Sequence, residues 1–270
     1  MNLMRHPRGD YFFLPGISPY SRGVVSAPGF EIAHITFHRP VPYRRVFGLI
    51  KRHLESQGRP RAALCGIELR SPRPFSFGGF GEFNAGYARI LEDWDLFVDD
   101  INPVARTNVA PEVDPPAEPV LFGFSYTRPC DPALPPTFVV SGAGELPEGV
   151  LAPEAIIRAG DTSPDAMIRK ASFVLDLMER RLEGLGAGWS GVTSLNLYTV
   201  HPLERILPEV ILRRAGPAGS HGARWFFSRP PIVGIEFEMD LRGRHAQDPA
   251  VTGQRLSTLR TSHVYGDADG

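Results

Sequence analysis

Thr137-Phe-Val-Val-Ser-Gly-Ala-Gly-Glu-Leu146 decides how this chain is read: an apolar β-type run that ends abruptly in Ser-Gly-x-Gly. Downstream stand Gly222-Ala-Arg224, a strand opening on an arginine, and Ile235-Glu-Phe-Glu-Met-Asp240, which alternates apolar and acidic residues at the period of a strand. A strand closing in small residues, an arginine and spaced acids point to a small-molecule pocket at the mouth of a sheet.

The bulk properties narrow the class of protein around that pocket. At 270 residues the chain has room for one large domain or two small ones, with a sizeable core in either case. A formal net charge of -1 supplies no basic face for phosphate, so nucleic acid is not an expected partner. Lys51 and Lys170 are the lysines and every other Lys/Arg position is arginine, the residue that grips carboxylates bidentately. Cys65 and Cys130 form no CxxC, so neither a metal site nor a disulfide scaffold is expected, which suits a reducing cytoplasm. Residues 1–10 hold no apolar signal-type segment and no run reaches membrane-spanning length, so no membrane partner is expected. Glycines and prolines sit between periodic segments, which describes a folded chain with many turns. Residues 244–270 lack periodicity and read as a mobile tail.

Taken in order, strands are expected at 18–25 and 30–37, and a helix over 43–57 with Val46, Leu49, Ile50 and Leu54 on one stripe and Gly58 as its stop. A strand at 62–70, a Pro/Gly/Phe loop through Gly81, a helix at 83–97 and a strand at 104–109 follow, then a proline-rich linker at 111–119. The second half reads as strands at 120–126 and 137–140, a helix at 161–186, a strand at 192–200, a helix at 203–215 holding Pro208, and strands at 224–227 and 232–241. His34 and His38 lie on one strand face without an accompanying carboxylate motif and read as sheet histidines. The repeated order implies an α+β protein of two tandem units, residues 11–118 and 119–243, with helices on one face of each sheet.

Phe138-Val-Val-Ser-Gly-Ala-Gly, Gly184-Leu-Gly-Ala-Gly-Trp-Ser-Gly-Val192, Leu195-Asn-Leu-Tyr-Thr-Val, Ala223-Arg-Trp and Ile235-Glu-Phe-Glu together resemble the RidA (YjgF-type) family across 120–243. The resemblance implies a chorismate-mutase-like α+β fold and homotrimers with ligand clefts between subunits. It also implies cofactor-free hydrolysis of carboxylate-bearing enamines and imines to keto compounds and ammonia. By position, Arg224 matches the arginine that pairs with the substrate carboxylate, and Glu236 the glutamate that orients the attacking water. Ser141 and Gly142 match the Ser-Gly lining the pocket, and Tyr126 its early tyrosine. The common Ser-Gly-Gln is Ser-Gly-Ala here, and 203–215 lacks the usual asparagine. Ser18-Pro-Tyr20-Ser, Phe83-Asn84-Ala-Gly-Tyr87 and Val104-Ala-Arg106-Thr make the first half similar to a degenerate copy of the same unit. In it, Tyr20 and Arg106 furnish either an altered second site or structural contacts. The two-copy arrangement and Ser228-Arg229-Pro-Pro-Ile-Val-Gly-Ile-Glu also resemble the chorismatases, which adds Arg229 to the candidates and pyruvate release from chorismate to the activities. A metabolite-binding role without turnover is the third expectation.

An imine bearing a carboxylate needs an anion anchor, a water near the electrophilic carbon and a group that handles protons. Arginine suits the first, and a glutamate raised toward neutrality by desolvation suits the others. Against this stand plainer accounts: Arg224 paired with a surface acid, and Glu236 and Glu238 on a solvated strand face. Gly-x-Ser-x-Gly is absent around Ser141, which removes a hydrolase elbow.

Overall fold

Apolar alternation in the strands and apolar stripes on the helices sort this chain into two sheets, each covered by helices on one side. A computed structural model describes residues 2–245, so the tail expected at 244–270 lies almost wholly outside the described residues. In chain order, β1 (Met4–Arg5), β2 (Tyr11–Leu14), β3 (Gly23–Ser26) and β4 (Phe30–Pro42) lead into α1 (Tyr43–Ser56). Then come β5 (Leu64–Arg70), α2 (Phe77–Asp93), β6 (Ala105–Pro111), β7 (Val120–Pro129) and β8 (Phe138–Gly144). The chain continues through α3 (Pro164–Gly184), β9 (Ser194–Tyr198), α4 (Leu212–Ala215), β10 (Ala223–Phe226), β11 (Ser228–Arg229) and β12 (Glu238–Gly243).

The two sheets repeat one topology. One runs β4, β7, β5, β6, with β11 beyond β6; the other runs β8, β12, β9, β10, with the β3-β2-β1 ribbon added outside β8. In both, the pair joined by the second helix is parallel, β5 with β6 and β9 with β10, while the remaining pairings are antiparallel. The sheets do not divide at the expected 118/119 boundary. β7 inserts between β4 and β5 and closes the first sheet, so 111–119 carries the chain across that sheet rather than between units. Residues of β2 and β3 belong instead to the second sheet.

Helix α1 buries Val46, Phe47, Ile50 and Leu54 against Ile67, Leu69, Phe124 and Tyr126 of the first sheet, joined by Tyr87 and Leu91 of α2. Helix α3, capped by Ser163 Oγ on the Ala166 N–H with Pro164 in its first turn, buries Ala171, Val174, Leu175, Met178 and Leu182 against Leu195, Leu197, Met239 and Leu241. Tyr11, Phe13, Val24, Ile32, Cys65, Ala105 and Val139 form a smaller apolar core between the sheets. The rest of that interface is polar: Thr107 Oγ1 donates to Asp240 Oδ2 at 2.8 Å, and Arg242 Nη2 meets Glu68 Oε1 at 2.6 Å. No helix among the described residues is long and apolar enough to cross a membrane.

Several local readings change. Helix α2 starts at Phe77, inside the expected glycine loop, because Ser76 Oγ caps the Gly79 N–H. The expected helix at 203–215 becomes a π turn over Leu207–Ile211 and one α turn, since Pro208 has no N–H to donate to the regular ladder. Strand β8 does not stop at Val140 but runs through Ser141-Gly-Ala-Gly144. The last strand starts only at Glu238, after a turn in which Gly234 takes φ +89°.

Candidate active site

Where the two sheets meet the N-terminal turns of α2, a cavity of about 400 Å³ opens. Its walls come from both repeats: Tyr20 from the β2–β3 loop, Phe80 and Asn84 from α2, Arg106 and Asn108 from β6, Gly142 to Gly144 from β8, and Glu238 from β12. Segment 146–151 forms another side, and Arg22 and Arg181 line it as well.

Arg106 is the cation at the centre. Its guanidinium lies over the rings of Tyr20 at 4.5 Å, Tyr87 at 5.0 Å and Phe80 at 5.6 Å from their centroids, and the residue is 3% exposed. Burial lowers its pKa, against the opposing pull of Tyr20, Tyr87 and Glu238. Among the described residues its Nη1 meets no hydrogen-bond partner, and neither do Asn84 Oδ1 and Asn108 Nδ2 on the same walls. Buried polar atoms are rarely left unmet, so three on one cavity mark a place prepared for a polar ligand. Asn108 is held by Ser71 Oγ, which donates to its Oδ1 at 2.9 Å and leaves the amide nitrogen for the cavity.

Glu238 supplies the titratable group. Met239 and Leu241 point into the core under α3, so strand alternation turns Glu238, Asp240 and Arg242 the other way, between the sheets. Burial first, and then the charge of Asp240, push Glu238 well above the usual carboxylate range; Arg106 and Arg181 pull it back. Asp240 is satisfied by Asn196 Nδ2 at 2.7 Å, Tyr198 Oη at 2.8 Å and Thr107. Glu238 therefore favours its protonated form while Asp240 remains a structural acceptor. Gly142 is required beside it: a Cβ there would stand 2.2 Å from Glu238 Oε1.

The residues singled out in the sequence separate into two groups. Tyr20, Arg106 and Gly142 line the cavity, with Ser141 just behind: its Oγ donates to Ser21 O at 2.6 Å and accepts from the Arg106 N–H at 3.1 Å. Ser141 thus fixes the arginine's strand and does not face the cavity. Arg224, Glu236, Tyr126 and Arg229 lie elsewhere. Arg224 sits exposed on β10, the last strand of the second sheet, and does not line the cavity. Glu236 precedes β12 and so does not share a strand face with Glu238; its Oε2 lies 2.9 Å from His201 Nε2 and 3.9 Å from Arg229 Nη1. Arg229 is held by Glu112, with Nε 2.7 Å from Oε2. Tyr126 is buried under α1, edge-on to His53 at 5.0 Å between centroids. Glu238, Asn108 and Arg181, not singled out as site residues in the sequence, line the cavity. The Glu238-Met-Asp-Leu-Arg242 alternation was the signal for the first; Asn108 and Arg181 carried none.

Comparison with known proteins bears on what such a cavity is for. Residues 3–248 match the model of a family described as 2-aminomuconate deaminase CnbZ. The chain is 43% identical over 238 residues to a 2-amino-5-chloromuconate deaminase from Comamonas testosteroni, spanning 87% of this chain and 94% of that protein. Among solved structures, a chorismatase aligns over 82% of this chain and 77% of its own at 9% identity and a TM-score of 0.45. A YjgF-family protein from Neisseria meningitidis aligns over 46% of this chain and 98% of its own at 18% identity and a TM-score of 0.25. With scores this low, the description of the fold rests on the sheets and helices themselves.

Proposed function

This chain belongs to the family described as 2-aminomuconate deaminase CnbZ, and on that premise we propose that it hydrolyses a carboxylate-bearing enamine or imine of the aminomuconate type to a keto compound and ammonia. The observation that carries this reading is one cavity holding a buried arginine, its Nη1 without a partner among the described residues, beside a buried glutamic acid. Arg106 takes the carboxylate next to the amino-bearing carbon, and the aromatic rings around it keep the guanidinium plane in place. Asn84 and Asn108 offer an acceptor and a donor for the amino group and the attacking water.

Glu238 handles the protons. As the acid it protonates the enamine carbon, which turns the C–N unit into an iminium. As the resulting carboxylate it takes a proton from water while the oxygen bonds to the iminium carbon. That proton passes to nitrogen, the C–N bond breaks, and ammonia leaves as the hydroxyl returns its proton to the Glu238 carboxylate and the C=O forms. Water is the one co-reactant and the glutamic acid ends as it began; a carboxyl held well above its usual range suits both halves of this cycle.

The test is ammonia release from 2-aminomuconate by wild type, Arg106→Met and Glu238→Gln. Wild-type turnover with loss in both variants supports the reading; three rates equal to buffer remove it. In keeping with the family resemblance, the reading includes a cytoplasmic homotrimer. The exposed Trp225 on edge strand β10 and Phe227 just after it supply apolar surface for assembly, and light scattering that returns a monomer counts against it.

A further inference from the structure

Exchanging the two repeats turns the cavity, built on β6, β8 and β12, into a place built on β10, β4 and β7. An arginine is enclosed by rings there too. The guanidinium of Arg70, from neighbouring β5, lies 4.1 Å from the ring centroid of Phe122, 5.6 Å from that of Phe226 and 5.7 Å from that of Tyr198, and the residue is 5% exposed. Its Nη1 donates to Leu69 O at 2.9 Å, while Nη2 meets no hydrogen-bond partner among the described residues. Arg106 shows the same arrangement, three rings around a guanidinium with one nitrogen unmet, but Arg70 does not line the cavity.

Charge is out of balance around Arg70. Arg242 is paired, with Nη2 2.6 Å from Glu68 Oε1 and Nε 3.7 Å from Asp240 Oδ1. Among the described residues, Arg70, Arg224 and Arg244 meet no carboxylate at ion-pair distance. Their nearness to one another shows in what they do to their neighbours. Burial first, and then the charges of Arg242, Arg244, Arg224 and Arg70, hold His34 well below its ordinary value. Burial and then the charge of Arg242, with Arg224 adding to the repulsion, bring Arg244 down to about 10. His34 is therefore neutral, and four guanidinium groups face the two carboxylates of Glu68 and Asp240. A buried cation is ordinarily paired, so the missing partner here is an anion that carries the excess of two charges.

We infer that Arg70, Arg224 and Arg244 form a second site, separate from the cavity, for a phosphate-type dianion, either free or carried as a phosphoryl ester. Access is from the β10 edge, where Arg224 is exposed and Phe122 and Phe226 are partly exposed; Phe226 turns aside to uncover Arg70 Nη2. Cations from β5, from β10 and from just beyond β12 suit the several oxygens and double charge of phosphate better than a single planar carboxylate. Charge-assisted hydrogen bonds form and no covalent step is involved. The site does not depend on the deaminase reading of the cavity.

Calorimetric titration of the full chain with inorganic phosphate, phenyl phosphate and acetate, at neutral pH and low salt, tests it. Wild type is expected to bind phosphate, and acetate at least about tenfold more weakly, the worth of one charged hydrogen-bonding contact. Arg70→Met should weaken phosphate by about ten- to a hundredfold. The double variant Arg224→Ala, Arg244→Ala should weaken it as well, and it carries the test if Arg70→Met does not fold. Arg106→Met, confined to the cavity, should leave phosphate binding unchanged. Tighter binding of phenyl phosphate assigns the site to an ester whose ring lies on Phe122 and Phe226, and equal affinities assign it to the free ion; both support the site. No binding of phosphate, acetate binding as tightly as phosphate, or a loss in Arg106→Met but not in Arg70→Met overturns it. So does an oligomer that the double variant dissociates while wild type gives no heat with phosphate, which would hand these arginines to a second copy of the chain.

Discussion

Replacing Glu238 by glutamine should abolish turnover and stabilise the protein, and both effects follow from the same burial. The side chain is enclosed between the sheets, next to Asp240, and its carboxyl is held well above its ordinary value of 4.5. Glutamine keeps the size and hydrogen-bonding edge but can neither give nor take the proton. Loss of general acid–base catalysis costs about a hundred- to ten-thousandfold in rate, or roughly 3 to 5 kcal/mol of barrier. The stability effect has a definite sign and window. Below the ordinary value of 4.5 both folded and unfolded chains hold the proton, and the substitution is close to neutral. As pH rises above it, the unfolded chain releases the proton while the folded chain keeps it. Wild type then loses about 1.4 kcal/mol per pH unit relative to the variant until the raised folded value is passed, after which the gap stays constant. Urea unfolding of both proteins at mildly acidic, neutral and mildly basic pH measures the gap, and stopped-flow ammonia release measures the rate. A variant with activity within tenfold of wild type, or a gap that does not widen with pH, refutes the assignment.

Other outcomes test the surroundings of that residue. Gly142→Ala should fold normally, because the Cβ first meets the movable end of Glu238, yet lose about a hundredfold in kcat as the carboxyl is displaced; unchanged kcat would sever Gly142 from the chemistry. Arg106→Met should raise KM and lower kcat/KM, while Arg224→Ala, exposed on an edge strand, should shift stability by no more than about 0.5 kcal/mol and leave ligand binding by the cavity intact; calorimetry with muconate compares them. Lys170→Met should destabilise by about 3 to 5 kcal/mol in urea unfolding. It strands the wholly buried Glu145, whose Oε1 lies 3.1 Å from Lys170 Nζ and whose carboxylate also accepts from the Glu236 and Phe237 N–H groups that lead into β12.

Much of the architecture was legible because it is periodic. The apolar stripe of α1 and its stop at Gly58, the Ser163-Pro164 start of α3, and β5, β7 and β9 are stated by local residues. The starts of α2 and β12 were harder. A glycine-rich segment reads as loop unless one sees Ser76 capping it, and Ile235-Glu-Phe-Glu reads as continuous strand although it enters only at Glu238. The proline-rich 111–119 looked like a boundary for the same reason: local composition marks a break in secondary structure and does not say which sheet the next strand joins.

For the site, the sequence by itself determined the ingredients: acids alternating with apolar residues over 235–240, Ser-Gly in β8, and Tyr20 and Arg106 in the first repeat. Only the tertiary structure decided which arginine and which glutamate share a cavity. Arg106 and Arg224 follow the same small local motif, yet one is enclosed by three rings and the other stands on a sheet edge. Glu236 and Glu238 are two residues apart, and the turn at Gly234 leaves the first outside the sheet and sends the second between the sheets. Burial and neighbouring charge lower the pKa of Arg106 and raise that of Glu238, and both are properties of how distant strands pack.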